Sequence, residues 1–368
     1  MGHTYRVGVI GSTGRGNYGH GLDRVWLDVE STKIVAVADD NDAGLAKALD
    51  RLNVSKGYGD YRKMLDEVKP EIVGIAPRWI DQHRDMAVAA ASRGAHIYIE
   101  KPFCRTLAES DQIIAACETH QVKLAIAHST RYSPKLSVVE ELISSGRLGK
   151  VLEYRGRGKE DRRGGGEDLW VLGTHVLDLI RHFAGDPRWC MARVRSGGRP
   201  VTKGNVVAGP EGIGVLAGDE LWAVYGMADG GTAYFNSVRG AAGNPSRFGV
   251  RILAEGGIID MGSGYLPTVK LLEDSSWSPG KSGSKWQNVS SAGVGKAEPL
   301  ADGGLHMSNV RAVRDLIQAI EDDRQPETHM YEARTAIEMI AAVFESHRLD
   351  GPARIPLQNR LDPLTMLE

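Results

Sequence analysis

The sequence predicts two domains of different fold class. Residues 1–127 read as an α/β domain with a doubly wound parallel sheet, and residues 128–368 as an α+β domain built on a large, open, mostly antiparallel sheet. Three observations lead there. A chain of 368 residues exceeds what one hydrophobic core usually organises. Up to His128, short β-branched apolar runs alternate with longer amphipathic stretches, the rhythm of βαβ units. Beyond that point strand-like pieces are punctuated by glycines, as in hairpin-connected sheets.

Each element follows from its own pattern. The apolar runs 6–10, 33–38, 71–76, 96–99 and 122–127 are nearly continuous, as strands covered by helices on both faces require. Between them, 42–52, 81–93 and 107–120 carry apolar residues at helical spacing with few breakers. A helix over 133–145 and the turn Gly146-Arg147-Leu148-Gly149 lead into the second domain. There 222–227, 232–238 and 248–254 read as strands, and 307–321 and 331–347 as closing helices. The Ser- and Gly-rich segment 274–301 reads as a surface excursion, an oligomer contact or a loop over a neighbouring site.

Composition narrows the partners. With 45 basic against 47 acidic residues and a formal charge of -2, no global field attracts nucleic acid or an anionic bilayer. No apolar run reaches spanning length, and the start lacks the pattern of a secretory signal. Cys104, Cys117 and Cys190 show no C-x-x-C spacing, which argues against a disulfide framework or a metal site. A reducing cytoplasm is the expected home.

The first strand ends in Gly11-Ser12-Thr13-Gly14-Arg15-Gly16, ahead of Asn17-Tyr18-Gly19-His20-Gly21 and an expected helix. Small residues are demanded where backbone amides approach a pyrophosphate, and a helix N-terminus adds to the attraction. A strict G-x-G-x-x-G laid on Gly11 places Thr13 at the second glycine and Gly16 at the third, with Gly14 a shifted alternative. Arg15 stands ready for a phosphate. The second strand runs into Asp39-Asp40, and Asp39 lies 23 residues beyond Gly16, near the roughly 20 expected of a carboxylate that binds the adenosine ribose. Such a group repels a 2′-phosphate, so NAD is favoured over NADP.

The strand 96–99 runs directly into Glu100-Lys101-Pro102-Phe103. Ligands of open α/β sheets lie beyond the carboxyl ends of the strands, so Lys101 is delivered to the cofactor crevice. Pro102 limits the backbone of Lys101 to extended conformations.

These residues carry a resemblance to the glucose-fructose oxidoreductase and inositol dehydrogenase family, Gfo/Idh/MocA. The match runs through the glycine loop, Asp39, Pro77, Glu100-Lys101-Pro102, Arg131-Tyr132-Ser133-Pro134, the segment from Ser145 to Val151, and Gly173-Thr174-His175-Val176-Leu177-Asp178. The resemblance implies a Rossmann domain, a second domain whose open sheet forms a homodimer or homotetramer contact, and a Lys101 that holds the reacting hydroxyl and relays its proton. It also implies that Glu100 and Pro102 shape the turn and that Pro77 lines the nicotinamide pocket. His83 follows Pro77 by six residues, farther than the usual family spacing.

In the second domain a helix beginning near Trp170 would put His175 and Asp178 on one face. An imidazole can accept the proton released when a secondary alcohol becomes a ketone, so Lys101 and His175 form a candidate acid/base pair. Sugar dehydrogenases of this kind usually carry an aspartate four residues before the histidine, where this chain has Val171. Glu167 and Asp168, one turn earlier, either supply that carboxylate or cap the helix. Arg155, Arg157, Lys159, Arg162 and Arg163 form a basic run. Most such side chains are solvated, but an arginine such as Arg163 facing the pocket would suit an anionic sugar.

The expected function is NAD-dependent oxidation of a secondary hydroxyl on a sugar, sugar acid, glycoside or cyclitol. Val171 motivates an alternative, a redox-neutral glycosidase that oxidises its substrate only transiently. A non-enzymatic cofactor-binding regulator is the third reading.

Overall fold

The five apolar runs of the N-terminal third form a parallel sheet in the computed structural model, which describes residues 2–368. Its strands are β1 (Tyr5–Ile10), β2 (Thr32–Ala38), β3 (Gly57–Tyr58), β4 (Ile72–Ile75), β5 (His96–Ile99) and β6 (Leu124–Ile126), in the order β3-β2-β1-β4-β5-β6. This is the doubly wound order, and its direction reverses between β1 and β4, where such sheets open a crevice for a dinucleotide. Helices α1 (Asp42–Leu52), α2 (Tyr61–Val68), α3 (His83–Ala91) and α4 (Leu107–Thr119) connect the strands. Asn41, Asp60 and Thr106 cap α1, α2 and α4 by accepting backbone N–H groups, the donors a helix start leaves unpaired.

Two elements of this unit were not expected. β3 has two residues, too few for a periodic signal, and α2 is short and mostly charged. Yet α2 buries Met64, Leu65 and Val68, each worth about 1.5–3 kcal/mol when fully covered. The expected helix behind the glycine loop is absent. Gly14, Gly16, Gly19, Gly21 and Asn17 all take positive φ, which no right-handed helix accommodates, and a string of turns leads instead to a 3-10 turn at Val25–Asp28.

By its internal contacts the first compact unit comprises residues up to His128, Pro210–Gly214 and Leu305–Ile337. The helix Leu305–Glu321 joins it through Asn309, whose Oδ1 accepts from the Tyr98 hydroxyl at 2.8 Å and whose Nδ2 donates to the His20 carbonyl at 3.0 Å.

The second unit comprises Ser129–Gly209, Val215–Gly304 and Glu338–Glu368. After α5 (Leu136–Ser144), strand β7 (Val151–Arg157) sits near the middle of an 11-stranded sheet. β7 pairs parallel with Thr232–Val238 and antiparallel with Gly249–Ala254, and the remaining pairings are antiparallel. The helices α6 (Gly166–Val171) and α7 (Gly173–Ala184) follow β7. They are two helices rather than the single one expected, broken at Leu172, whose φ of -125° is not helical. Strand Glu220–Met227 alternates half-buried with buried residues, as a sheet with one covered face should. A Cβ on Gly156 of β7 would stand 2.6 Å from Val176 Cγ1, so that glycine lets α7 lie close on the sheet.

The 274–301 segment is not simply a surface excursion. Gln287–Ser290 extends the sheet beside Val269–Glu273, and Trp277 packs on Leu253, Ile258 and Leu272 while donating to the Ala254 carbonyl at 2.9 Å.

Candidate active site

The glycine loop closes on itself. Ser12 and Asn17 exchange backbone hydrogen bonds of 3.1 and 2.9 Å, so Thr13 to Gly16 form a tight projecting turn. Gly16 has φ +90°, and a Cβ there would lie 2.4 Å from the Arg78 backbone nitrogen. Only glycine fits, because both the torsion and the space exclude a side chain. Gly14 also has positive φ, a Cβ there would meet nothing within 4 Å, and its N–H donates to Asn17 Oδ1 at 3.0 Å. With no helix behind the loop, no helix N-terminus faces a phosphate, and the N–H groups of Ser12, Thr13, Gly14, Arg15 and Asn17 all donate within the turn or to Asp39. Arg15 is held at the rim by Asp81 and lies over the Trp79 ring, 4.8 Å from its centre.

Asp39 and Asp40 differ sharply. Asp39 is 1% exposed. Its carboxylate accepts from the Thr13 N–H at 3.0 Å, the Thr13 hydroxyl at 2.7 Å and the Asn41 N–H at 3.0 Å. Thr13, at the second-glycine position, thereby ties the phosphate loop to the tip of β2. Tyr18 is buried nearby, and burial with the Asp39 charge pushes its phenol far above the ordinary range. Asp40 is exposed and accepts only a 3.3 Å bond from Ser12 Oγ. Both acids line a cavity of about 220 Å³ with Gly11, Ser12, Tyr61 and Met86. Its place at the ends of β1 and β2 and its polar rim fit the adenosine half of NAD.

The turn after β5 is anchored to the same loop. Glu100 is 1% exposed. Its Oε2 accepts from the His20 N–H at 3.0 Å and lies 2.9 Å from His20 Nδ1, while Oε1 accepts from the Lys101 N–H at 3.0 Å. Burial alone would raise the Glu100 carboxyl, but the His20 hydrogen bonds and the Lys101 charge hold it below its ordinary value. A Cβ on Gly19 would stand 2.4 Å from the Ala76 carbonyl and 2.6 Å from Glu100 Oε2, so the close approach of loop and turn depends on that glycine. Lys101 is 9% exposed. Pro77 is buried just beyond β4.

In the second unit His175 is half-buried in the first turn of α7, and Asp178 one turn on is buried against Arg131, with an Nη1 to Oδ1 distance of 3.5 Å. Glu167 and Asp168 both fall in the first turn of α6. Asp168 is 0% exposed and accepts from the Lys159 N–H at 3.2 Å, the Glu160 N–H at 3.0 Å and the Ser237 hydroxyl at 2.5 Å. It pins the 158–166 loop to the sheet. Four of the five residues of the basic run are matched by acids within reach, and Arg162 is exposed. Arg155 pairs with Glu153, Arg157 with Glu160, and both Lys159 and Arg163 with Asp161. The Arg163 guanidinium holds Asp161 near pKa 2.

Sequence reasoning did not assign His20 or Asn309 to this network. His20 stood in a polar stretch taken as the approach to a helix. Asn309 lies more than two hundred residues downstream, where no local pattern could flag it.

A parallel sheet of this order, with a glycine loop on its first strand and an acid after its second, has the form of a dinucleotide-binding domain. Residues 5–128 match the Gfo/Idh/MocA family model, described as oxidoreductase family, NAD-binding Rossmann fold. It is 27% identical over 233 residues to levoglucosan dehydrogenase of Pseudarthrobacter phenanthrenivorans, covering 56% of this chain and 59% of that protein. It is 30% identical over 171 residues to D-apiose dehydrogenase of Paraburkholderia graminis, covering 44% and 45%. These matches span about half the length of the curated relatives. The fold resembles that of levoglucosan dehydrogenase solved with NADH and L-sorbose, with a TM-score of 0.77 and 21% identity over 97% of this chain and 100% of that one.

Proposed function

We propose that this protein is an NAD-dependent dehydrogenase that oxidises a secondary hydroxyl of a neutral sugar or cyclitol. The observation that carries this reading is the placement of Lys101. It is buried at the carboxyl edge of the sheet, on a turn hydrogen-bonded to the glycine loop. Asp40, with Asp39 behind it, would face the ribose diol. Gly11 to Gly16 would face the pyrophosphate, Arg15 would flank it, and Pro77 and Glu100 would border the nicotinamide.

When bound, the nicotinamide supplies the hydride acceptor. Lys101 holds the reacting hydroxyl, and His175 takes its proton, a contribution of about 10²–10⁴ in rate for a positioned acid/base group. Among the remaining acids, Glu167 is the one we keep on the substrate side. We read Asp168 and Asp178 as holding the helix pair, because their carboxylates serve the loop and Arg131. Arg163 offers a neutral pair with Asp161 rather than a bare cation, and this supports an uncharged substrate. Levoglucosan and apiose, named for the relatives above, are the first compounds to try.

A second copy of this chain is the partner we propose for the open sheet face, where Trp189 is 40% exposed beside a cavity of about 860 Å³ lined by Met191, Val224 and Ile355.

The test is a panel of neutral sugars, sugar acids and glycosides incubated with NAD. The reading expects NADH to accumulate with a neutral sugar. Aglycone release without NADH would overturn it in favour of redox-neutral cleavage, and tight NAD binding with no turnover of any polyol would overturn it in favour of a regulator.

A further inference from the structure

His83 is the most deeply buried imidazole of the first unit, at 0% exposure. It opens α3 and lies between the segments that follow β4 and β5. The ladder between those strands runs through Ile75 and Ile99 to a bond from the Glu100 N–H to the Ile75 carbonyl at 2.9 Å. Past that rung the two segments leave the sheet, and the His83 ring lies between them. Its Nε2 is 2.8 Å from the Pro77 carbonyl oxygen, and its Nδ1 is 3.0 Å from that of Pro102 and 3.2 Å from that of Phe103.

We propose that His83 is a positioning residue of the reaction site, bracing the Pro77 turn against the Pro102–Phe103 segment and so fixing the backbone from which Lys101 projects. Lys101 sits between two anchors. On one side Glu100 is held by His20, and on the other the Pro102 and Phe103 carbonyls face the His83 ring. A ring with hydrogen-bonding atoms on two edges suits a gap walled by carbonyls on both sides. A neutral imidazole donates from one nitrogen only, while the imidazolium donates to both walls. Burial pushes the ring toward the neutral form. The Pro77 and Phe103 carbonyls, the Glu100 carboxylate and the Pro102 carbonyl push the other way. The 3-10 turn Ile80–Gln82 brings the histidine back to the carbonyl of Pro77, six residues earlier in the chain.

This inference rests on the assignment of Lys101 to the reaction, and its test is chosen to be independent of turnover. In the full-length protein, the pH dependence of Lys101 amine acylation is followed by mass spectrometry in wild type and His83→Gln. A loosened turn should expose Lys101, so several-fold faster labelling and a shifted midpoint are expected. A folded His83→Gln protein whose Lys101 labels as in wild type overturns the proposal. Should that variant fail to fold, ¹⁵N resonances of the wild-type His83 ring decide the matter. A hydrogen-bonded N–H shift is expected on at least one ring nitrogen, and a ring whose N–H shows the shift of a free imidazole overturns the bracing role. Wild-type turnover in Lys101→Ala would instead overturn the catalytic assignment and leave the bracing measurement standing.

Discussion

Glu100 in the first unit and Asp168 in the second are both carboxylates with almost no exposed surface, and both accept backbone N–H groups. They differ in what those bonds hold. Glu100 joins two segments at the carboxyl edge of the parallel sheet, and the lysine follows it directly in the chain. Asp168 joins a loop to Ser237 in the large sheet, seven residues before His175. The comparison teaches that an acid next to a catalytic motif can act by fixing backbone, and that its bonding pattern, more than its position in the motif, reveals which role it has.

The largest expected effect tests the two residues assigned to the reaction. Lys101→Ala and His175→Ala should each lower turnover by about 10²–10⁴-fold, measured as NADH formation on a confirmed sugar. Near-normal rates would remove that residue from the reaction. Next comes Asp168 itself. Asp168→Ala leaves buried donors without an acceptor and should cost about 1–3 kcal/mol for each donor left unsatisfied, read as a lower urea midpoint at unchanged slope. Asp168→Asn, if folded, should keep turnover close to wild type. A loss as deep as that of Lys101→Ala would place Asp168 on the substrate.

A smaller effect separates Asp39 from Asp40. Asp40→Asn should weaken NAD binding by roughly tenfold or more, from loss of a charge-assisted hydrogen bond of about 1.5–3 kcal/mol, and should narrow the preference against NADP. Asp39→Asn should weaken both cofactors together, because it releases Thr13 from the phosphate loop. Equal selectivity changes in the two variants would contradict the division of roles.

The smallest effect concerns an acid that lacks such support. Asp362 accepts one backbone bond, from the Leu364 N–H at 2.9 Å, and burial, only partly offset by that bond, raises its pKa from 3.8 to about 6. A raised acid is protonated more readily in the folded state, so its contribution is most favourable below pH 3.8 and is lost as pH climbs through 6. Asp362→Asn should therefore melt higher than wild type at pH 8 and like it near pH 4. The same Tm difference at both pH values would contradict the shift.

Much of this was legible in the sequence because it depends on short-range pattern. The strands of the parallel sheet announced themselves as apolar runs, and His96–Ile99 ran straight into Glu100-Lys101-Pro102. The glycine loop was legible as a loop but not as a route without a helix, because that outcome is set by positive φ at alternating positions. α2 had a signal in Asp60 followed by Met64, Leu65 and Val68, which a window tuned to longer helices passes over. The partners of Glu100, Asp168 and His83 were not legible, since they are backbone groups and side chains brought in by folding rather than by spacing.

The central claim is that Lys101 and His175 serve one hydroxyl. A crystal structure of the protein with NADH and its sugar measures this directly. The account predicts the Lys101 Nζ and an imidazole nitrogen of His175 within about 3 Å of the same sugar oxygen, and either nitrogen turned away from that oxygen would contradict it.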